Sequence, residues 1–513
     1  MRQLLAIVLL LVCAGVSFSQ LSGPLSGTLG PGWYTVIGDI QVDTSAALTI
    51  LAPTTLDFQD TFSFKVYGVL TAGSQSGGNV LFTTSRTAPN RWRGLRFLGP
   101  ASTPSQLTYC IIENGWATGP TLADQCGGGV YIYQSSPTFL YCSMHNNYAD
   151  ACGGGVYSEY SRAVFDTCSI TWNTAFSSHP ANFWGGGGVL CVYGAERFTF
   201  CIITNNVTIM GNGGGAWIER DSALFNDCEI SFNSALSLDG GGVYCFWYAV
   251  PTFTNCGISA DTAMRDGGGT WCDNTSSPTY NFCTLSDNVA GGSGGGAFCQ
   301  DSPPPMGPAY NSCIVAYSMG EGIYFLNSSG SAISYGDFFG NSAGDFGGAV
   351  PPGLNIISGV NANGDPCDAF TNIFGDPSFV YRPYDLHLQT ASRCIAAADP
   401  LLPVFTDFES DVRPNPPGSS PDIGMDENPL GVPGGALGPI TDLVIRPDFP
   451  GTGNVILYWS PVAGATFYTV YGKTTPGATG TPLASGVTGS AWMDNNTSSR
   501  PSPYFYYVTV VSP

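Results

Sequence analysis

Apolar residues come in short runs along this chain, four to six long, β-branched or aromatic, with Gly, Ser, Pro or Asn at either end. Runs of that length and composition read as strands, and the Leu/Ala spacing of a helix pair is missing. The runs are also periodic. Glycine triplets end at Gly129, Gly155, Gly188, Gly215, Gly242, Gly269 and Gly296, with shorter relatives ending at Gly322 and Gly348, in steps of 26, 33, 27, 27, 27, 27, 26 and 26 residues. A period this regular means one structural unit stacked many times.

Other columns share the period. After each glycine run comes a cysteine: Cys142, Cys168, Cys201, Cys228, Cys256, Cys283 or Cys313, with Cys110 before them. Three residues ahead of it sits an aromatic, as at Phe139, Phe165, Phe198, Phe225, Phe253, Tyr280 and Tyr310. Five residues after it stands Asn147, Asn173, Asn206, Asn233, Asp261 or Asn288, and two residues further mostly Ala. The unit is G-G-G-(Val/Ala/Thr)-aromatic, a Ser/Pro turn, then F-x-x-C-x-I-x-x-N-x-A. About three short strands fit in it, each pairing with its copy in the next coil roughly 4.8 Å away. That arrangement is a parallel β-helix. The Phe, Cys and Ile columns would fill its interior, Asn would bond up and down the stack at a bend, and glycine would supply positive φ and close coil approach.

Alternation along the strand after each glycine run separates inside from outside. First and third positions, such as Val130/Ile132 and Val243/Cys245, are small or apolar and should face in. Second positions are Tyr131, Tyr157, Leu190, Trp217, Tyr244, Trp271, Phe298 and Tyr324; fourth positions include Glu159, Glu219 and Asp273. Acid at the fourth predicts that both columns face out. Exposed rings beside carboxylates are a surface that could stack on sugars and bond their hydroxyls. Tyr131, Tyr157, Trp217, Tyr244, Trp271, Phe298, Tyr324, Glu159, Glu219 and Asp273 are therefore glycan-binding candidates. The competing reading is that a loop covers this face, or that the ladder only stabilises the sheet.

Particular stretches resemble known families. L-T-I-L-A-P-T-T-L-D-F, G-V-L-T-A-G-S and W-R-G-L-R-F, from residue 48 to 97, look like secreted bacterial right-handed parallel β-helix proteins of the pectate-lyase-like superfamily. The G-G-[AV] and F-x-x-C-x-I-x-x-N units resemble the repeats of polymorphic outer-membrane proteins. D-P-S-F, Y-D-L-H-L, T-D-F-E-S-D-V-R-P and P-D-I-G-M-D-E, from Asp376 on, are similar to the closing segment of such folds. The resemblance implies an all-β chain with roughly 12 rungs of about 27 residues. It implies no activity, because that superfamily holds both polysaccharide-cleaving enzymes and non-enzymatic surface proteins.

The ends add segments. Residues 1–19 read as a secretory signal peptide, with Met1-Arg2 before an apolar run and small residues near Ser19. Residues 20–427 form the β-helix with its caps, and 428–439 are a Pro/Gly-rich linker. Residues 440–513 resemble a fibronectin type III module with Trp459 and Tyr468 in its core, expected to be incomplete unless another strand completes it. No further run is long enough to span a bilayer. Net charge is −21 with two lysines, which argues against nucleic acid as a partner.

Catalytic signals are sparse. Polygalacturonase-type N-T-D, D-D, G-H-G and R-I-K are missing, and neither Lys65 nor Lys473 lies in the central repeats. Arg162, Arg220 and Arg265 read as surface ion pairs. His145, His179 and His387 show no triad or metal spacing. The six or so extra residues around Phe176–Trp184 are where an enzyme's loop would sit. Asp407, Glu409 and Asp411 form a weak oxygen set for calcium, outweighed by a solvated acidic loop; no other cofactor is expected. Ladder cysteines in register, near 4.8 Å apart, read as slightly too distant for relaxed disulfides, so buried thiols are expected there. Cys367 and Cys394, outside the ladder, are the expected disulfide. The reading is a secreted or cell-surface β-helix protein binding an extracellular polysaccharide or cell-surface component without catalysis. A polysaccharide lyase or glycoside hydrolase is the alternative, and a structural spacer the third.

Overall fold

The computed structural model describes residues 19–87, 91–177, 185–273, 275–300, 307–327, 330–431, 433, 440, 443–447, 454–461, 467–474, 481–495, 497–500 and 504–511. Residues 1–18 of the expected signal peptide, most of the expected linker, His179 and most of the Phe176–Trp184 insertion lie outside the described residues. From Ser19 to Gly348 the chain winds as stacked coils whose strands pair in parallel with the coils above and below.

A central coil holds four strands, one more than expected. In one coil these are Ala216–Glu219, Leu224–Asn226, Glu229–Ser231 and the two-residue Ser234–Ala235. A single residue in left-handed conformation ends each of the first three: Arg220, Asp227 and Phe232 have φ of 49°, 53° and 55°. Register is kept from coil to coil, with Ala216, Trp217, Ile218 and Glu219 opposite Val243, Tyr244, Cys245 and Phe246. Trp92-Arg93-Gly94-Leu95 takes the place of a glycine run, Leu95 pairing with Val130.

Identical residues therefore stack. Rings of Phe165, Phe198, Phe225 and Phe253 succeed one another at 4.8, 4.6 and 4.7 Å inside the coil. The main cysteine column, Cys110 to Cys313, and a second one of Cys191, Cys245, Cys272 and Cys299 are buried free thiols, as expected. Those of the main column lean on strand carbonyls of the preceding coil, as Cys201 Sγ does on Phe165 O at 3.4 Å. Triplet glycines do two jobs. The first of each run has positive φ, +67° at Gly240. The second and third have no room for a Cβ: one on Gly241 would lie 2.4 Å from Gly268 O.

The asparagine ladder forms as the repeat predicts. Asn206 takes N–H bonds at 3.0 Å from both the backbone and the side-chain amide of Asn173, and its own amide donates to Ile170 O at 2.8 Å. Asp261 interrupts it. Its Oδ1 accepts from Asn233 N and Nδ2 at 2.7 and 3.0 Å. Its Oδ2 is buried without a hydrogen-bond partner, where an Asn would carry NH2. Burial holds this carboxyl well above the usual carboxylate range, outweighing the bonds from Asn233. A group whose folded pKa is raised loses stability as pH climbs from its unfolded value, about 3.9, towards the folded one. Asp261→Asn restores the missing donor. It should raise stability by about 1–3 kcal/mol at pH 8, with the gain vanishing below about pH 4. Urea midpoints across pH check this, and a variant no more stable than its parent at pH 8 would refute it.

After Gly348 the chain leaves the coil and folds back along the third-strand face. Met425 N donates to Thr284 Oγ1 at 3.1 Å, Gly424 N to Ser312 O at 2.9 Å, and Asn255 Nδ2 to Thr406 O at 2.8 Å. Beneath lie Phe282, Ile314, Ile373, Leu388, Ile395 and Ile423 in one apolar cluster. Cys367 and Cys394 belong to that cluster but are free thiols, which corrects the expected pairing; Cys394 Sγ donates instead to Asp337 Oδ2 at 3.2 Å. The disulfide among the described residues joins Cys126 to Cys152, each just ahead of a glycine run. Their Cα atoms are 4.7 Å apart, within the range a disulfide spans, so rung spacing does not itself forbid a bond.

Residues beyond 440 form a small β-sandwich. One antiparallel sheet holds Val444–Pro447, Val455–Tyr458 and Ala491–Asp494, the other Thr481–Val487, Phe467–Lys473 and Phe505–Val511. Leu457, Trp459, Tyr468, Val470 and Val508 fill its core. Thr481–Val487 is hard to read from sequence because its Thr, Pro, Ala, Ser and Gly carry little apolar alternation, and Ala491–Asp494 is too short to show a period.

Candidate functional site

The second-position rings lie outside the coil core, as alternation predicts, but they are not open to solvent. Tyr131, Tyr157, Trp217, Tyr244, Trp271 and Phe298 are buried, Trp217 to 3% and Tyr244 to 6% exposure, and Tyr324 is half-buried against them. Their neighbours stack, Tyr131 on Tyr157 at 4.9 Å and Tyr244 on Trp271 at 4.4 Å. The turn that precedes each strand folds back across the base of its ring. A Cβ on Gly240 would lie 2.9 Å from Tyr244 Cβ, and one on Gly267 would lie 2.8 Å from Trp271 Cβ. Ala151 and the Cys126–Cys152 bridge join the same cluster. The exposed stripe expected of these six residues is thus a second, external core.

Of the fourth-position acids expected to face solvent, Asp273 is instead buried, at 6% exposure. Glu159, Val192, Glu219 and Phe246 stand in register, and Asp273 comes in the next coil. Glu159 and Glu219 are half-buried. Glu159 Oε2 accepts the Tyr157 hydroxyl at 2.9 Å. Asp273 is spent locally, taking Trp247 N and Thr275 Oγ1 at 2.9 Å each. Burial, with smaller repulsion from Glu159 and Asp273, pushes the Glu219 carboxyl up to about 7.

Immediately after these acids comes an aromatic column that alternation conceals. Tyr160, Tyr193 and Trp247 occupy successive corners at φ 51°, 56° and 51°, with Arg220 between the last two at 49°. Counted along the strand, the fifth position should point inward. A left-handed residue breaks the period-2 alternation, and the side chain swings to solvent instead. Tyr160 is 48% exposed, Trp247 44%, and the adjoining Tyr248 57%. Tyr160 stacks on Tyr193 at 5.0 Å, the Arg220 guanidinium bonds the Tyr193 hydroxyl, and it lies 3.5 Å over the Trp247 ring. Arg220 is therefore a stacking residue, whereas Arg265 makes an ion pair with Asp239 at 3.3 Å.

A buried carboxyl pair braces this corner from within. Glu196 accepts the Ser158 hydroxyl at 2.6 Å, and Asp221 takes Gly194 N in the turn after Tyr193. Burial raises both carboxyls, Asp221 to about 6 and Glu196 well above the usual carboxylate range, where repulsion from Asp221 adds to the effect of burial.

The acids proposed for calcium separate. Asp407 is buried and its carboxylate is used as a clasp, taking Glu409 N, Asp411 N and Glu427 N at 3.1, 2.7 and 3.0 Å. Glu409 turns instead towards His387, 3.2 Å from its Nε2. Sequence spacing could not pair them, because His387 and Glu409 meet only when the closing segment folds on itself.

Among the described residues no helix is long and apolar enough to cross a membrane. The family model described as right handed beta helix region matches residues 181–339, the central coils. No curated protein and no solved structure matches the chain. Parallel register over the stacked coils and this match together make the chain a right-handed parallel β-helix repeat protein with a small β-sandwich at its C-terminal side.

Proposed function

We propose that the protein is an exported or cell-surface rod that binds an extended polysaccharide, or another cell-surface component, along the corner of Tyr160, Tyr193, Arg220 and Trp247, without cleaving it. The observation that carries this reading is the run of exposed, mutually stacked rings on left-handed residues. The bend itself asks only for a residue that tolerates positive φ, which Asn or Gly does more cheaply than Tyr or Trp. Large apolar rings at such corners increase exposed apolar surface, and their cost is recovered when a ligand covers them. Glu159 and Glu219 beside them offer acceptors for hydroxyl groups. The signal peptide, residues 1–19, supplies export, and the C-terminal sandwich is read as a fibronectin type III-like module.

The double variant Tyr193→Ala/Trp247→Ala should keep the fold, because both rings stand in solvent. It should bind the preferred polymer about 5- to 150-fold more weakly, at about 0.5–1.5 kcal/mol per ring. Affinity electrophoresis against neutral and acidic polysaccharides measures this. Parental affinity in the variant, or no bound polymer at all, would refute the reading.

One observation favours a hydrolase as the second reading. Glu219, its carboxyl pushed up to about 7 by burial, would be the proton donor, with Glu159 two rungs away at roughly 10 Å. That separation lies at the upper end of inverting geometry. New reducing ends that disappear in Glu219→Gln would establish this reading in place of the first.

A further inference from the structure

The closing segment gathers one imidazole and three carboxylates from three places in the sequence. His387 and Asp385 lie on the strand Asp385–Leu388; Glu409 and Asp426 come from loops. His387 Nδ1 is 2.6 Å from Asp385 Oδ1. Its Nε2 faces Glu409 Oε1 at 3.2 Å and Asp426 Oδ1 at 4.0 Å. One ligand atom from each of His387, Glu409 and Asp426 lies within 4.8 Å of the others. We propose that these three residues bind a divalent transition metal of the zinc type, with Asp385 orienting the imidazole.

Donor chemistry and spacing both support this. Ligands about 2.0–2.1 Å from a tetrahedral ion stand about 3.4 Å from one another, between the two separations seen here. An imidazole nitrogen with two carboxylates suits zinc better than calcium, which takes six to eight oxygens. A carboxylate on the far nitrogen of a metal-bound histidine fixes its tautomer and orientation, which is the position of Asp385. The Asp407 clasp holds both ligand loops, since it bonds Glu409 N and Glu427 N, the latter next to Asp426. Glu409 Oε2 is buried with no hydrogen-bond partner, an acceptor the protein leaves unused. Crowding points the same way: Asp385, Glu409 and Asp426 surround one imidazole, and a divalent cation held between them would offset the repulsion among the carboxylates. Three protein ligands leave a fourth position open. A hollow of about 30 Å³ lined by His387, Glu409, Asp426, Tyr458 and Trp459 adjoins the three ligands, with room for a water or one ligand atom.

The ordinary alternative is a protonated histidine neutralising its acidic neighbours. Full-length protein stripped with chelator and titrated with zinc by calorimetry tests between them. The expected result is one equivalent bound, weakened at least about 10-fold in Glu409→Gln and about 10- to 100-fold in Asp385→Asn. Should the variants fold poorly, the parent chain still decides. It has three histidines, so zinc should shift one imidazole in the proton NMR spectrum. Cobalt in place of zinc should give a spectrum without a thiolate charge-transfer band, which separates this site from the buried cysteines. No binding, equal affinity in Glu409→Gln, a thiolate band, or calcium binding with no imidazole shift would each overturn the proposal.

Discussion

Gly241→Ala should unfold the central coils or cost at least about 3 kcal/mol, far more than alanine usually costs at a glycine. Gly241 is not among the positive-φ residues, so the expected penalty is not conformational. It is steric. The new Cβ would lie 2.4 Å from Gly268 O and 2.5 Å from Thr262 C, and both are backbone atoms held by the next coil and by the fourth strand. Neither can rotate away, so relief requires prising two coils apart and losing the ladder bonds on either side. Because a stacked repeat is stabilised chiefly by its interfaces, opening one divides the rod. Gly364→Ala is the control. Gly364 has φ +86° with nothing within 4 Å of its Cβ position, so it should show only the left-handed backbone penalty, about 1–2 kcal/mol. Guanidinium unfolding of both variants measures the contrast. Equal, small losses would mean the coils can slide, and that close approach is not why the triplets recur.

Arg413→Ala should cost about 3–5 kcal/mol and release the closing segment first. The Arg413 and Glu427 side chains are wholly buried, with Nε 3.3 Å from Glu427 Oε2. Nη1 of Arg413 donates to Asp422 O and Gly424 O at 3.3 and 3.0 Å, and the guanidinium lies 4.2 Å over the Phe282 ring of the coil. The residue thus ties the returning chain to the rod. Removing it leaves Glu427 buried beside Asp422, and burial already holds the Glu427 carboxyl at about 7. Proton uptake by Glu427 would soften the loss at low pH, so the penalty should be larger at pH 8 than at pH 5. Hydrogen exchange should show amides of residues 384–428 exchanging faster while those around Phe198 and Phe225 stay protected. Uniform loss of protection along the whole chain would contradict a local clasp.

Fold class is legible because a stack repeats its environment. Phe165, Phe198 and Phe225 each meet the same neighbours one coil away, so one physical constraint is written at every rung and the period exposes it. The asparagine column and the unpaired thiols are readable for the same reason. Legibility fails wherever repetition or alternation fails. Tyr160, Tyr193 and Trp247 carry no readable face, because a left-handed residue reverses the side-chain direction that strand alternation predicts. Tyr131 to Phe298 lie on the side of the strand that alternation indicates, yet their burial depends on a turn folding over them.

The sequence by itself determined the fold class, three of the four strands in each coil, the parallel stacking and the ladder contents, all of which come from local composition and a short period. Only the tertiary structure decided which surface stays open, which cysteines bond, and where chemistry can gather. Cys126 meets Cys152 because parallel register between adjacent coils brings their backbones to 4.7 Å, while Cys367 and Cys394 stay apart as thiols. His387, Glu409 and Asp426 belong to no repeat. They converge because the closing chain must cover the exposed face of the last coils, and a contact made once leaves no period to read.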